Sequence, residues 1–161
     1  DIGTLVKNKY GFEFIKLIDR KKELMKSSNG KYVAPMAIEN LLRESFFVSQ
    51  VLVIGEKRSY VSVLIIPEFD TLNEWLVQNK IEFSVKREII SLNEVKDKFK
   101  KITDDANRHL SKPEQVRKFT LIPDNWSVET GELTPTLKLK RKVIESKYAD
   151  IIEQMYNDDG S

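Results

Sequence analysis

The chain has no cysteine and a single histidine, His109, in 161 residues. No disulfide, thiolate nucleophile or cysteine-based zinc site can therefore be built, and a histidine-rich metal centre is excluded with them. Only a Ser–His arrangement would remain for a hydrolase. His109 lies in a stretch with helical periodicity and reads as a half-buried helix histidine. Charge of one sign is also missing: 27 Lys and Arg stand against 25 Asp and Glu, a net of +2. So small an excess does not make a field that gathers nucleic acid or an anionic membrane. The longest clean apolar runs, Val51 to Ile54 and Val61 to Ile66, fall far short of the roughly 20 residues that span a bilayer. There is no Walker A motif and no G-x-G-x-x-G, and no secretory leader is expected. Cytoplasmic location is expected. The opening Asp1-Ile2-Gly3, without an initiator Met, suggests a fragment.

What is present describes a globular domain: 40% hydrophobic and 32% charged residues. A chain of this length buries roughly 70% of its extended surface and needs no staple. Alternation in Thr4–Lys7 and Phe12–Ile18, around a turn at Asn8–Gly11, predicts an N-terminal hairpin. Ser27–Lys31 reads as a loop. Pro35 opens a helix with the stripe Ile38, Leu41, Leu42 and Ser45-Phe46. Ser49–Ile54 and Tyr60–Ile66 flank a polar turn at Gly55–Arg58; the second strand is apolar nearly throughout and therefore central. Thr71 with Glu74, and Ser91 with Glu94, have capping-box spacing. Val95, Phe99, Ile102, Ala106 and Leu110 predict a helix ending before Pro113. Val116–Ile122 reads as a strand, Asp124–Pro135 as turns, and Ile144, Tyr148, Ile151, Ile152 and Met155 as one last helix. The class is α+β: a small domain with an N-terminal β-hairpin and a short mixed sheet flanked by helices.

Two segments stand apart. Asp19 to Pro35, followed by Ile38-Glu39-Asn40, reads without further information as a charged strand end, a loop and a helix start. Gly131-Glu132-Leu133-Thr134-Pro135-Thr136-Leu137-Lys138-Leu139-Lys140-Arg141-Lys142 reads as a solvated basic helix start that could also touch phosphates. Together they resemble the adenylate-forming superfamily, specifically the C-terminal domain of long-chain fatty acyl-CoA synthetases. D-R-x-K-E-L-x-K-x-S-x-G-x-Y-V-x-P-x-x-I-E resembles the family's hinge motif, and L-T-P-T-x-K-L-K-R its terminal lysine motif. Asp1-Ile2-Gly3 looks like the end of its Thr-Gly-Asp motif. The resemblance covers the whole chain, including a helical insertion at about residues 81 to 112.

That resemblance implies a lid over residues 1–161, with hinge-proximal strands in 1–26 and a mobile α+β body in 27–161. The large N-terminal ATP- and acyl-binding domain would then lie outside this sequence. Such enzymes form acyl-adenylate and pyrophosphate from a fatty acid and ATP, then transfer the acyl group to CoA. The small domain rotates between the two steps. Lys138 would be the catalytic lysine of adenylation. Asp1 and Arg20 would bind nucleotide, Lys22 would be the hinge, and Lys26, Asn29 and Gly30 would line the CoA tunnel. Lys140, Arg141 and Lys142 would cover surface or approach CoA phosphates. The superfamily usually has Gly before the lysine; here that position is Leu137, as in the long-chain branch, which leaves Lys140 as the competing lysine. Mg2+ would accompany ATP, held mainly by the phosphates and the absent domain, and no metal is expected on this domain. Membrane association of the parent, for a lipid substrate, would be peripheral. Two alternatives stay open: an adenylating domain that loads a carrier-protein phosphopantetheine, and a non-enzymatic module that binds phosphate or nucleic acid.

Overall fold

A computed structural model describes residues 24–157. The expected hairpin over residues 4–18 and the site candidates Asp1, Arg20 and Lys22 lie outside the described residues. The described part begins with a two-stranded antiparallel ribbon, β1 (Met25–Lys26) and β2 (Tyr32–Val33), around the Ser27–Lys31 loop. Helix α1 (Pro35–Leu42) follows, with Pro at its first turn, where a missing N–H costs nothing.

The centre is a three-stranded sheet in the order β3-β4-β5. β3 (Val48–Ile54) and β4 (Val61–Pro67) form the expected antiparallel hairpin, with a register irregularity between Val48 and Gln50. All seven residues of β4 are buried, as its unbroken apolar run requires of a strand covered on both faces. β5 (Val116–Leu121) lies parallel to β4. A parallel neighbour needs a long crossover. Here it consists of α2 (Phe69–Gln78), the short α3 (Lys86–Ile89), α4 (Asn93–Asn107) and a 3-10 turn at Lys112–Glu114. The chain closes with α5 (Arg141–Lys147) and α6 (Ala149–Asn157). Ile38, Leu42, Leu52, Leu64, Leu72, Leu76, Phe99 and Ile144 are sealed in one core. Each such side chain stabilises by roughly 1.5–3 kcal/mol relative to exposure.

Several sequence expectations are corrected. Neither capping box forms. α2 starts ahead of Thr71 because Phe69 is buried and the Glu68 N–H donates to Phe47 O at 2.8 Å, which fixes the entry. The Ser91 hydroxyl donates backwards to the carbonyls of Arg87 and Glu88, closing α3 instead of opening α4. α1 stops at Leu42, so Phe46 leaves the stripe and is 85% exposed; Phe47 turns inward, edge-on to Trp75. His109 lies in the exposed turn after α4, not half-buried within it. The final helix is two helices. Tyr148, at φ −110 and ψ 26, breaks it. Its hydroxyl donates to Asp124 Oδ2 at 2.8 Å and accepts from the Trp126 indole N–H at 3.2 Å.

Candidate functional site

Lys138 sits on a short loop closed by an isolated antiparallel bridge between Leu133 and Leu139. Inside it, Thr134 to Leu137 make a turn in which the Leu137 N–H donates to Thr134 O at 2.7 Å. Pro135 occupies the second turn position, where its fixed φ is favourable. The Thr134 N–H donates to Lys138 O at 2.8 Å, and Thr134 Oγ1 accepts the Lys138 N–H at 3.0 Å. Thr134 thus holds the lysine's backbone from both sides. The Lys138 side chain is exposed, and its ammonium has no partner among the described residues.

Leu137 explains how the loop manages without the superfamily's usual glycine. Its φ is +66, in the left-handed region that glycine occupies without strain. The leucine takes the backbone shape a glycine would take, at a cost of about 1–2 kcal/mol. Its side chain is 68% exposed, so the hydrogen bonds of the turn, rather than side-chain packing, hold this conformation.

Two buried carboxylates stand on either side of this loop. Glu132, just before it, is fully buried. Its carboxylate accepts from Lys147 Nζ, from the Thr130 hydroxyl and from the Ser127 N–H. Its carbonyl accepts the Lys140 N–H at 2.8 Å. Burial alone would raise its pKa. The hydrogen bonds from Lys147, Thr130 and Ser127 outweigh burial and hold it at about 2. After the loop, the Arg141 guanidinium forks onto Glu39, Nη1 to Oε2 at 2.6 Å and Nη2 to Oε1 at 2.8 Å. Glu39 is 2% exposed and also accepts the Val53 N–H of β3 at 2.9 Å. Arg141, expected to cover surface or approach CoA phosphates, is therefore a half-buried structural partner. Sequence reasoning missed both carboxylates. A signal existed for Glu39: Pro35, Ile38, Glu39 and Leu42 share the buried face of α1.

The second candidate loop carries Lys26, Asn29 and Gly30. Gly30 has φ +80, and an added Cβ would meet nothing within 4 Å. Backbone conformation, not space within this domain, is what favours glycine there. The Ser27 N–H donates to Lys31 O at 2.8 Å, and the Ser28 N–H to Arg58 O at 2.9 Å, which pins the loop to the β3–β4 turn. The Lys26 N–H donates to Glu56 and its carbonyl accepts the Lys57 N–H, while its ammonium lies 5.9 Å from the Tyr32 ring. Asn29 lines an open hollow of about 410 Å³ with Lys31, Tyr60, Lys112 and Arg117. The Arg117 guanidinium lies over the Tyr60 ring at 5.0 Å. This basic hollow was not visible in the sequence, because β5 and the 3-10 turn bring its distant residues together. The two loops are joined through α1: the chain leaves the Gly30 loop into that helix, whose Glu39 holds Arg141. Among the described residues no three His, Asp or Glu side chains gather to hold a metal ion, and no helix is long and apolar enough to cross a membrane.

The fold and loops define a C-terminal domain of the adenylate-forming kind, and comparison with known proteins agrees. The model of the AMP-binding enzyme C-terminal domain family matches residues 22–160, and the chain belongs to that family. The chain is similar to the long-chain-fatty-acid–CoA ligase FadD15 of Mycobacterium tuberculosis, 33% identical over 145 residues, covering 89% of this chain and 24% of the ligase. It is similar to human long-chain-fatty-acid–CoA ligase 1, 35% identical over 163 residues, covering 98% of this chain and 22% of that ligase. Among solved structures it resembles the A domain of the carboxylic acid reductase from Segniliparus rugosus, in complex with AMP and a co-purified carboxylic acid. There the TM-score is 0.63 and the identity 25%, over 86% of this chain and 20% of that one. The chain thus spans about a quarter or less of the length of the ligases it matches.

Proposed function

We propose that this chain is the C-terminal lid of an AMP-forming long-chain-fatty-acid–CoA ligase. In the first half-reaction a carboxylate oxygen attacks the α-phosphorus of ATP and pyrophosphate leaves. In the second, the CoA sulfur attacks the acyl carbon and AMP leaves. Lys138 is the catalytic residue of the first step. Two anions must meet there, and a long cationic side chain reaching both orients the carboxylate and offsets charge developing at phosphorus. The observation that carries this reading is an outward, unpartnered Lys138 on a loop whose backbone is held at every turn.

Asp1 and Arg20 would hold the nucleotide, Asp1 accepting from both ribose hydroxyls as an acceptor-only carboxylate can. Lys22 would be the hinge, and Lys22→Pro would trap one orientation. Lys26, Asn29 and Gly30 would line the route of the CoA pantetheine. The basic hollow beside Asn29 supports an anionic ligand on that side. Mg2+ would enter with ATP and be held mainly by its phosphates and the rest of the enzyme. This chain alone should not catalyse carboxylate-dependent pyrophosphate exchange.

The test uses the full-length enzyme, wild type and Lys138→Ala, with a fatty acid. ATP–pyrophosphate exchange should fall about 100-fold or more, while thioester formation from preformed acyl-adenylate survives. Survival of both activities would refute the assignment and turn attention to Lys140. A second reading is transfer to a carrier-protein phosphopantetheine. Competition between CoA and a loaded carrier separates the two. Salt-dependent binding of random oligonucleotides would instead indicate a nucleic-acid module.

A further inference from the structure

Among the described residues two charged side chains are buried, Glu39 at 2% and Glu132 at 0% exposure. A buried charge is costly unless it is paired and hydrogen-bonded, and each of these is. Both act on one short stretch of chain. Glu132 immediately precedes the lysine loop. It gathers Ser127, Thr130 and Lys147 with its carboxylate and takes the Lys140 N–H on its carbonyl. Glu39 grips Arg141, three residues beyond Lys138, with both oxygens, and its Oε2 also accepts the Val53 N–H. The bond to Val53 fixes this grip to the core sheet, because Val53 is fully buried in β3.

From this geometry we infer that Glu39, Arg141 and Glu132 are positioning residues for Lys138. They clamp both ends of its loop to the body of the domain, so that rotation of the domain delivers the ammonium to one place. The inference rests on the reading of Lys138 given above. The lysine has no contact in its own domain to orient it, so the loop must supply the orientation. A forked guanidinium on a carboxylate fixes both distance and angle, whereas a lysine ammonium is a point charge on a flexible stem. Arg141→Lys keeps the charge and discards the fork.

The experiment is a double-mutant cycle in the full-length enzyme. Arg141→Lys, Glu132→Gln and Lys138→Ala are made singly, and each positioning variant is combined with Lys138→Ala. Pyrophosphate exchange and thioester formation from preformed acyl-adenylate are both measured, with the thermal midpoint of every variant. Arg141→Lys should lower kcat of exchange by about 10-fold or more, since a displacement near 1 Å can cost as much as 100-fold. KM for ATP and fatty acid, and thioester formation, should stay within about twofold of wild type. In the Lys138→Ala background the same change should cost nothing further. On the opposite flank Glu132→Gln keeps one acceptor oxygen for Ser127 and Thr130 but loses the one that faces Lys147, and should behave alike. It carries the test if Arg141→Lys folds poorly. Equal loss with and without Lys138, or equal loss in both half-reactions, would show a merely structural role and overturn the inference. Unchanged exchange in Lys138→Ala alone would overturn the Lys138 reading, and this inference with it, before any positioning variant is considered.

Discussion

Replacing Glu132 by Gln should convert a pH-dependent part of this chain's stability into a pH-independent one. In the folded chain the carboxyl is held at about 2 against an ordinary 4.5. A group depressed on folding contributes stability above its unfolded pKa and loses it as pH falls towards the folded one. The window is therefore pH 4.5 down to about 2. The full difference corresponds to about 3 kcal/mol. Lys147, the charged partner, is 44% exposed, so solvent screens the pair. About 1–2 kcal/mol is the expected remainder. Gln retains one oxygen for the Ser127 N–H and the Thr130 hydroxyl but places an amide NH2 where Oε2 accepted from Lys147, so the loss reports the charge together with that one charge-assisted hydrogen bond.

Urea unfolding of this chain, wild type and Glu132→Gln, from pH 7 to pH 2 measures it. At pH 7 the variant should be less stable by that amount. The two curves should converge between pH 4.5 and about 2, because the wild-type carboxyl becomes neutral there. Every other carboxylate titrates in both proteins and cancels in the difference. Parallel curves over the whole range would refute the claim that Glu132 is ionised and paired in the fold.

Three further outcomes follow from the same coordinates. Leu137→Val should destabilise by about 1–2 kcal/mol, because a β-branched side chain resists φ +66, while Leu137→Gly should stay within about 1 kcal/mol of wild type; urea midpoints decide. Phe99→Ala should cost about 3–5 kcal/mol, whereas Phe46→Ser should change stability by under about 0.5 kcal/mol, since one ring is sealed and the other 85% exposed. The Tyr148 phenol, pushed up to about 12 mainly by burial, should be missing from an ultraviolet titration that Tyr148→Phe leaves unchanged near pH 10.

The sheet was legible because its signals are local. β4 is apolar at nearly every position, and β3 meets it across a polar turn, so hairpin and central position follow from composition alone. Helix ends were not. Thr71 and Ser91 each stand three residues before a glutamate, yet tertiary contacts set the ends. Phe69 is worth more in the core than a capped Thr71, and Ser91 finds closer carbonyls behind it. The split after Lys147 was hidden for the same reason. Ile144, Tyr148, Ile151, Ile152 and Met155 keep helical spacing across it, but Asp124 and Trp126 draw the tyrosine hydroxyl and turn the backbone.

The candidate site divides along the same line. Lys138 and Gly30 are proposed from motifs, because each motif is a run of neighbouring residues. What holds Lys138 could not be read from any such run. Glu39 and Arg141 are over a hundred residues apart in sequence and joined by two hydrogen bonds. Yet Glu39 carried a physical clue: a carboxylate on the apolar face of an amphipathic helix must find a cation or a ring of donors, or be expelled. Such a residue predicts a partner before the partner is known. Here the partner stands three residues from Lys138, whose exposed ammonium has no partner among the described residues. In the function proposed above, a lid that reorients between two reactions would need its catalytic side chain mobile in space but fixed in its own frame. A loop braced on both flanks by buried carboxylates meets both requirements.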